Sequence, residues 1–209
     1  MHRYYVNLTA ALLAAFSAIS ACAARSASVQ QATQVPLTAQ NWSVLQESTS
    51  RDKPDVRFIG HEGFPQGAMV IKSGAARLNG FIFRDGTIEF DMKSTDQDIP
   101  GIQFREQGQP GRENAEEFYV RTFPDCRASN DCIQYAPVIN GFMLWNVYPQ
   151  YQTKAPILEG WNHFKLLVSG RRLNVFINGS MNLRLQSPIL KARQQKVLSN
   201  CVVLPSLPT

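Results

Sequence analysis

From Trp42 onward, hydrophobic and polar residues alternate with a period of two in short runs separated by Gly, Pro, Asn and Asp, and no long stretch carries a helical period. This pattern predicts an all-β chain. The clearest run is Gly86 to Lys93, where Ile88, Phe90 and Met92 face one way and Glu89, Asp91 and Lys93 the other. Ile102 and Phe104 stand likewise against Gln103 and Arg105, and Phe118 and Val120 against Glu117, Tyr119 and Arg121. Read as neighbours, these three strands share one polar face. Further on, Trp161–Ser169 and Arg172–Asn178 alternate around Gly170, and Asn178-Gly179 is a tight-turn signal leading to Met181–Leu185. Short strands with closely spaced turns predict a sandwich or barrel.

The N-terminus has a different character. Arg3 precedes an uncharged apolar run, Leu8 to Ser20, too short to span a bilayer, and small residues follow it. This is the pattern of a secretory signal peptide over residues 1–21. Ile19-Ser20-Ala21-Cys22 resembles the bacterial lipobox, which makes Cys22 a lipidation site and the membrane a partner; cleavage at the A-x-A of Ala21, Cys22 and Ala23 is the other reading. Either predicts export, to the periplasm or the cell surface. Residues 22–40 read as a tether, 41–190 as the folded domain and 191–209 as an irregular tail. Cys126 and Cys132 flank a short polar loop that a disulfide can close, and Cys201 has no evident partner.

Composition narrows the classes. With 209 residues, 44% hydrophobic and 18% charged, the bulk is neither disordered nor membrane-spanning. The net charge of +5 comes without a Lys/Arg cluster, so no nucleic-acid partner is expected. No His accompanies the cysteine pair, so no metal site is expected there. There is no P-loop, dinucleotide fingerprint or G-x-S-x-G setting.

Trp161-Asn-His-Phe-Lys-Leu-Leu-Val-Ser-Gly-Arg-Arg-Leu-Asn-Val-Phe-Ile-Asn-Gly179 resembles the hairpin of concanavalin A-like (laminin-G-like) jelly rolls. Phe83-x-Asp-Gly-x-Ile-Glu-Phe-Asp91, Gly101-Ile-Gln-Phe-Arg105, Glu117-Phe-Tyr-Val-Arg121 and Gln134-Tyr-Ala-Pro-Val-Ile-Asn-Gly141 are similar to exported bacterial members, the keto-disaccharide hydrolase-like domains. The resemblance covers Trp42 to Leu190 and implies a jelly-roll β-sandwich. Such jelly rolls continue past Met181 with returning strands. Residues 191–209 show no clear alternation, so the last strands are expected to be missing.

The polar face is the expected site, and a carbohydrate its expected ligand. Carboxylates and amides bond sugar hydroxyls, and aromatic faces stack on pyranose rings. The candidate ligand-binding residues are Gln103, Arg105, Tyr119, Arg121, Gln134, Asn140 and Trp145, with Trp145 expected to be exposed. Trp42, Phe81, Phe83 and Trp161 read as core. A glycoside hydrolase needs two carboxyl groups, for which Glu117 with Glu89 or Asp91 are the candidates. Against that stands plain cross-strand pairing of these acids with Arg105 and Arg121. A lyase would draft Arg105, Gln134 and Tyr119, and His61 is a weak candidate in a loop, whereas His163 reads as structural. A non-catalytic structural module is the remaining alternative. No cofactor is expected; a structural calcium is left open.

Overall fold

A computed structural model describes residues 32–46, 52–94, 99–109, 111–123, 126, 128–157 and 159–186, and the backbone of 202–204. Cys22, Cys201 and the expected signal peptide lie outside the described residues. The alternating runs become strands: β1 (Trp42–Leu45), β2 (Asp55–His61), β3 (Phe64–Ser73), β4 (Ala75–Leu78), β5 (Gly86–Met92), β6 (Gly101–Gln107) and β7 (Asn114–Val120). There follow β8 (Ile133–Ile139), β9 (Phe142–Met143), β10 (Gln152–Thr153), β11 (Asn162–Ser169), β12 (Arg172–Ile177), β13 (Ser180–Gln186) and β14 (Val202–Leu204). The helical content of the described residues is one 3-10 turn, Pro149–Tyr151.

Two antiparallel sheets form the sandwich. One runs β1-β4-β14-β6-β7-β8-β10, with β9 also on β8; the other runs β13-β12-β11-β5, and β2 and β3 make a separate hairpin. Aromatic residues meet between the sheets. Phe90 stacks on Phe164 within the four-stranded sheet at 5.2 Å, and Phe118 of β7 reaches the same ring at 6.2 Å. One buried cluster includes Phe104, Phe118 and Tyr135 from the larger sheet and Leu166, Val175 and Ile177 from the smaller. Burying such side chains contributes about 1.5–3 kcal/mol each. Val35 and Leu37, in the stretch read as tether, pack against this cluster.

Local sequence explains the turns. Two-residue loops at Asn140-Gly141 and Asn178-Gly179 join β8 to β9 and β12 to β13, with positive φ at both residues of each pair, as type I′ turns require. Cys126 and Cys132 form a disulfide with Cα atoms 4.7 Å apart, and both are buried in the core.

Two expectations are corrected here. The tail does not lack strand structure, because Val202–Leu204 pairs with both β4 and β6 and fills the middle of the larger sheet. Nor do the three alternating runs share one face. β6 and β7 are neighbours, but β5 pairs with β11 in the other sheet.

Candidate functional site

The candidate site lies on the outward face of the larger sheet. Ile102 and Phe104 of β6, Phe118 and Val120 of β7 and Ile133 and Tyr135 of β8 point into the core. Pleating therefore turns Gln103, Glu117, Tyr119 and Gln134 to the opposite side. Register places Gln103 opposite Glu117, and Tyr119 opposite Gln134. Side chains follow that register: Gln103 Nε2 donates to Glu117 Oε2 at 2.9 Å. Beside this pair, the Arg121 guanidinium donates to Gln134 Oε1 at 2.9 Å and to the Asp131 carbonyl at 2.5 Å, and lies 5.1 Å from the Tyr119 ring centre. Gln134 Nε2 donates to the Trp145 carbonyl at 2.5 Å. The loop bearing this indole is thus tied to the polar row.

Burial divides the row into two layers. Glu117, Tyr119 and Gln134 are 2%, 3% and 0% exposed, whereas Gln103 and Arg121 are half-buried and Trp145 is 54% exposed. The inner layer fixes the outer one. Burial is the main reason that the Tyr119 phenol is pushed up to about 12, with Arg121 opposing and Glu117 and Asp131 adding to the rise. A phenol held so firmly protonated can donate a hydrogen bond but is poorly placed to act as the base of a lyase.

The structure separates the remaining candidates. Glu89 and Asp91 lie on the outward face of the four-stranded sheet, because Ile88, Phe90 and Met92 take the core side. There Asp91 meets His163 Nδ1 at 3.0 Å and Glu89 meets Lys165 Nζ at 2.6 Å, each directly across the β5–β11 register. Neither can join Glu117 around one glycosidic bond, since the two faces look away from each other across the core. Cross-strand pairing holds for these acids, with His163 and Lys165 in place of the expected arginines.

Arg105 also leaves the face. It stands at φ 56 in a bulge where the β6–β7 register shifts between Phe104 and Gln107, and it donates to the Arg84 carbonyl and, at 2.7 Å, to Asp85 Oδ1. Asp85 also accepts from the Gly170 N–H at 2.6 Å. Arg105 therefore braces the bulge against Arg84 and Asp85, away from the polar row. Asn140 is the first residue of a hairpin turn, and its N–H donates to Asn114 Oδ1 at 3.0 Å. The Asn-Gly dipeptide was the signal for this role.

Sequence reading missed a second polar group on the same face. Ala76 and Leu78 point into the core, so Arg77 points outward, and its guanidinium meets Glu106 Oε1 at 2.5 Å. Burial raises the Glu106 carboxyl above its ordinary value, Arg77 pulls it down, and Glu113 pushes it up again. Glu106 Oε2, Arg77 Nε and Glu113 Oε2 are buried without a hydrogen-bond partner. The bulge that redirects Arg105 is what brings Glu106 here, and a strictly alternating reading cannot see it.

Two rings expected in the core are exposed, Trp161 at 43% and Phe81 at 38%, while Trp42 and Phe83 are buried as expected. Trp161 closes an aromatic group with Phe64 at 4.7 Å and His61 at 5.4 Å, beside an open cleft of about 650 Å³ lined by Leu37, Phe58, Ile59 and His61 among others. Among the described residues, no group of three or more His, Cys, Asp or Glu could hold a metal ion.

No family model matches the sequence, and no curated protein does. Solved structures do resemble it. Carbohydrate binding module CBM66 from Bacillus subtilis superposes with a TM-score of 0.53 at 13% identity, covering 78% of this chain and 87% of that one. A Bacillus subtilis protein of unknown function with a galectin-like fold gives 0.44 at 12% identity, over 84% and 91%. SCLam, a non-specific endo-beta-1,3(4)-glucanase from family GH16, gives 0.40 at 14% identity, over 83% and 76%. At such identities the likeness speaks for architecture alone, and with the strand order above it agrees with an all-β jelly-roll sandwich.

Proposed function

We propose that this is an exported, cell-envelope carbohydrate-binding domain whose ligand lies on the outward face of the larger sheet. The observation that carries the reading is the two-layer polar row, in which buried Glu117 and Gln134 hold Gln103, Arg121 and the Trp145 loop in place. Gln103 and Arg121 supply hydrogen-bonding groups to sugar hydroxyls, and the exposed indole supplies a stacking surface. CBM66, one of the similar structures, is named as a carbohydrate binding module, which agrees with this reading. Export rests on the leader-like N-terminus, and lipid attachment at Cys22 would tether the domain to a membrane.

Binding is favoured over hydrolysis because the acid pair a glycosidase needs is not assembled from the candidates. Glu117 is buried, and Glu89 and Asp91 stand on the other sheet. A glycan array with the wild-type protein, followed by Trp145→Ala and Gln103→Ala, tests the reading. Each variant should weaken binding by roughly fivefold to thirtyfold, about 1–2 kcal/mol, with no sugar released from the ligand. Release of reducing ends that Glu117→Gln lowers about a hundredfold would instead make the domain an enzyme.

A further inference from the structure

The segment from β9 to β10, at the edge of the larger sheet, carries some of the most exposed large apolar side chains among the described residues. Phe142 is 72% exposed, and Trp145 and Val147 are 54% exposed each. All three belong to one segment that returns along β8, through β9 at one end and β10 at the other. No charged residue occurs from Cys132 to Thr153. The segment is held in place: the Leu144 N–H donates to the Pro137 carbonyl at 2.9 Å, and Gln134 grips the Trp145 carbonyl.

Cations flank this apolar edge. At the turn, the Gly141 N–H donates to the Glu113 carbonyl at 2.8 Å, which sets the exposed Arg112 beside the tip. At the far end, exposed Lys154 follows β10 directly. The nearby acids have basic neighbours of their own, since Glu113 is half-buried beside the Arg77–Glu106 pair and Asp131 lies beside the Arg121 guanidinium.

We propose that this edge docks on an anionic lipid bilayer, with Phe142, Trp145 and Val147 entering the headgroup boundary and Arg112 and Lys154 meeting lipid phosphates. Aromatic side chains favour that boundary, and basic residues beside an apolar wedge add attraction to anionic lipid. A second copy of the chain is a poorer occupant, because Pro149 and the 3-10 turn break the edge before a strand can pair along it. The inference goes beyond glycan binding. Docking by the edge leaves Gln103 and Arg121 free but takes the Trp145 indole, so lipid and glycan compete for that ring.

The test uses the full chain with vesicles of phosphatidylglycerol and phosphatidylcholine whose acyl chains are brominated. Because Leu8–Ser20 can itself partition, the readout is quenching of Trp145 and not pelleting, with Trp145→Phe as the background for Trp42 and Trp161. Wild-type fluorescence should be quenched on these vesicles and far less on phosphatidylcholine alone. The double variant Phe142→Ser/Val147→Ser should need about tenfold more lipid for the same quenching, with its thermal transition unchanged. An unquenched Trp145, or equal quenching in the double variant, overturns the proposal. So does concentration-dependent dimerisation that the double variant abolishes in the absence of quenching. Loss of glycan binding alone would count against the site on the face and leave this inference standing.

Discussion

Glu106 shows how one residue couples the bulge in β6 to stability. The fold raises its pKa, chiefly by burial, with Arg77 opposing and Glu113 assisting. A carboxyl raised from 4.5 contributes stability that is fully present below about pH 4.5 and lost as the pH rises through its folded pKa. Each unit of rise corresponds to about 1.4 kcal/mol. Glu106→Gln keeps the shape and removes the titrating proton, so it should flatten this part of the profile: the variant should lose less thermal stability than wild type between pH 4.5 and neutrality. Melting curves across that range check it, and a variant whose curve runs parallel to wild type would contradict the assignment. Nothing in the sequence marks Glu106, because an arginine at φ 56 is an uncommon backbone state that alternation does not foretell.

At the scale of elements, the runs that alternate most cleanly were the most legible. Ile88, Phe90 and Met92 face the core as expected, as do Phe118 and Val120, because a half-buried strand writes its burial directly into the period of its side chains. The β11–β12–β13 meander was equally clear, since Asn178-Gly179 fixes one of its turns. Asn140-Gly141 carries the same signal, and its function is that of a turn. The disulfide was readable from spacing, but its link to the site was not. The Arg121 N–H donates to the Cys132 carbonyl at 2.7 Å and its guanidinium to that of Asp131, so the closed loop holds the residue that grips Gln134. Replacing both cysteines with Ser should cost about 2 kcal/mol in denaturant unfolding and weaken glycan binding as well. Unchanged affinity beside the lost stability would show that Arg121 is positioned without the loop.

For the whole molecule, alternation says which side of its own strand a residue takes but not which sheet the strand joins. That is why Glu89 and Asp91 could be read beside Glu117, although the core lies between them. The same limit hid β14, whose three residues are too few to show a period and whose place between β4 and β6 depends on contacts distant in sequence. The sandwich was therefore legible as a class, and its division into two faces was not. The division makes the central claim testable, because the two polar faces can be altered independently. Calorimetric titration of the best-responding oligosaccharide should compare Gln103→Ala/Trp145→Ala with Glu89→Gln/Asp91→Asn. The account predicts that the first pair loses most of its affinity, by a factor of ten or more, about 1.4 kcal/mol and upward, while the second binds like wild type. Loss confined to the second pair would place the site on the four-stranded sheet and contradict the account.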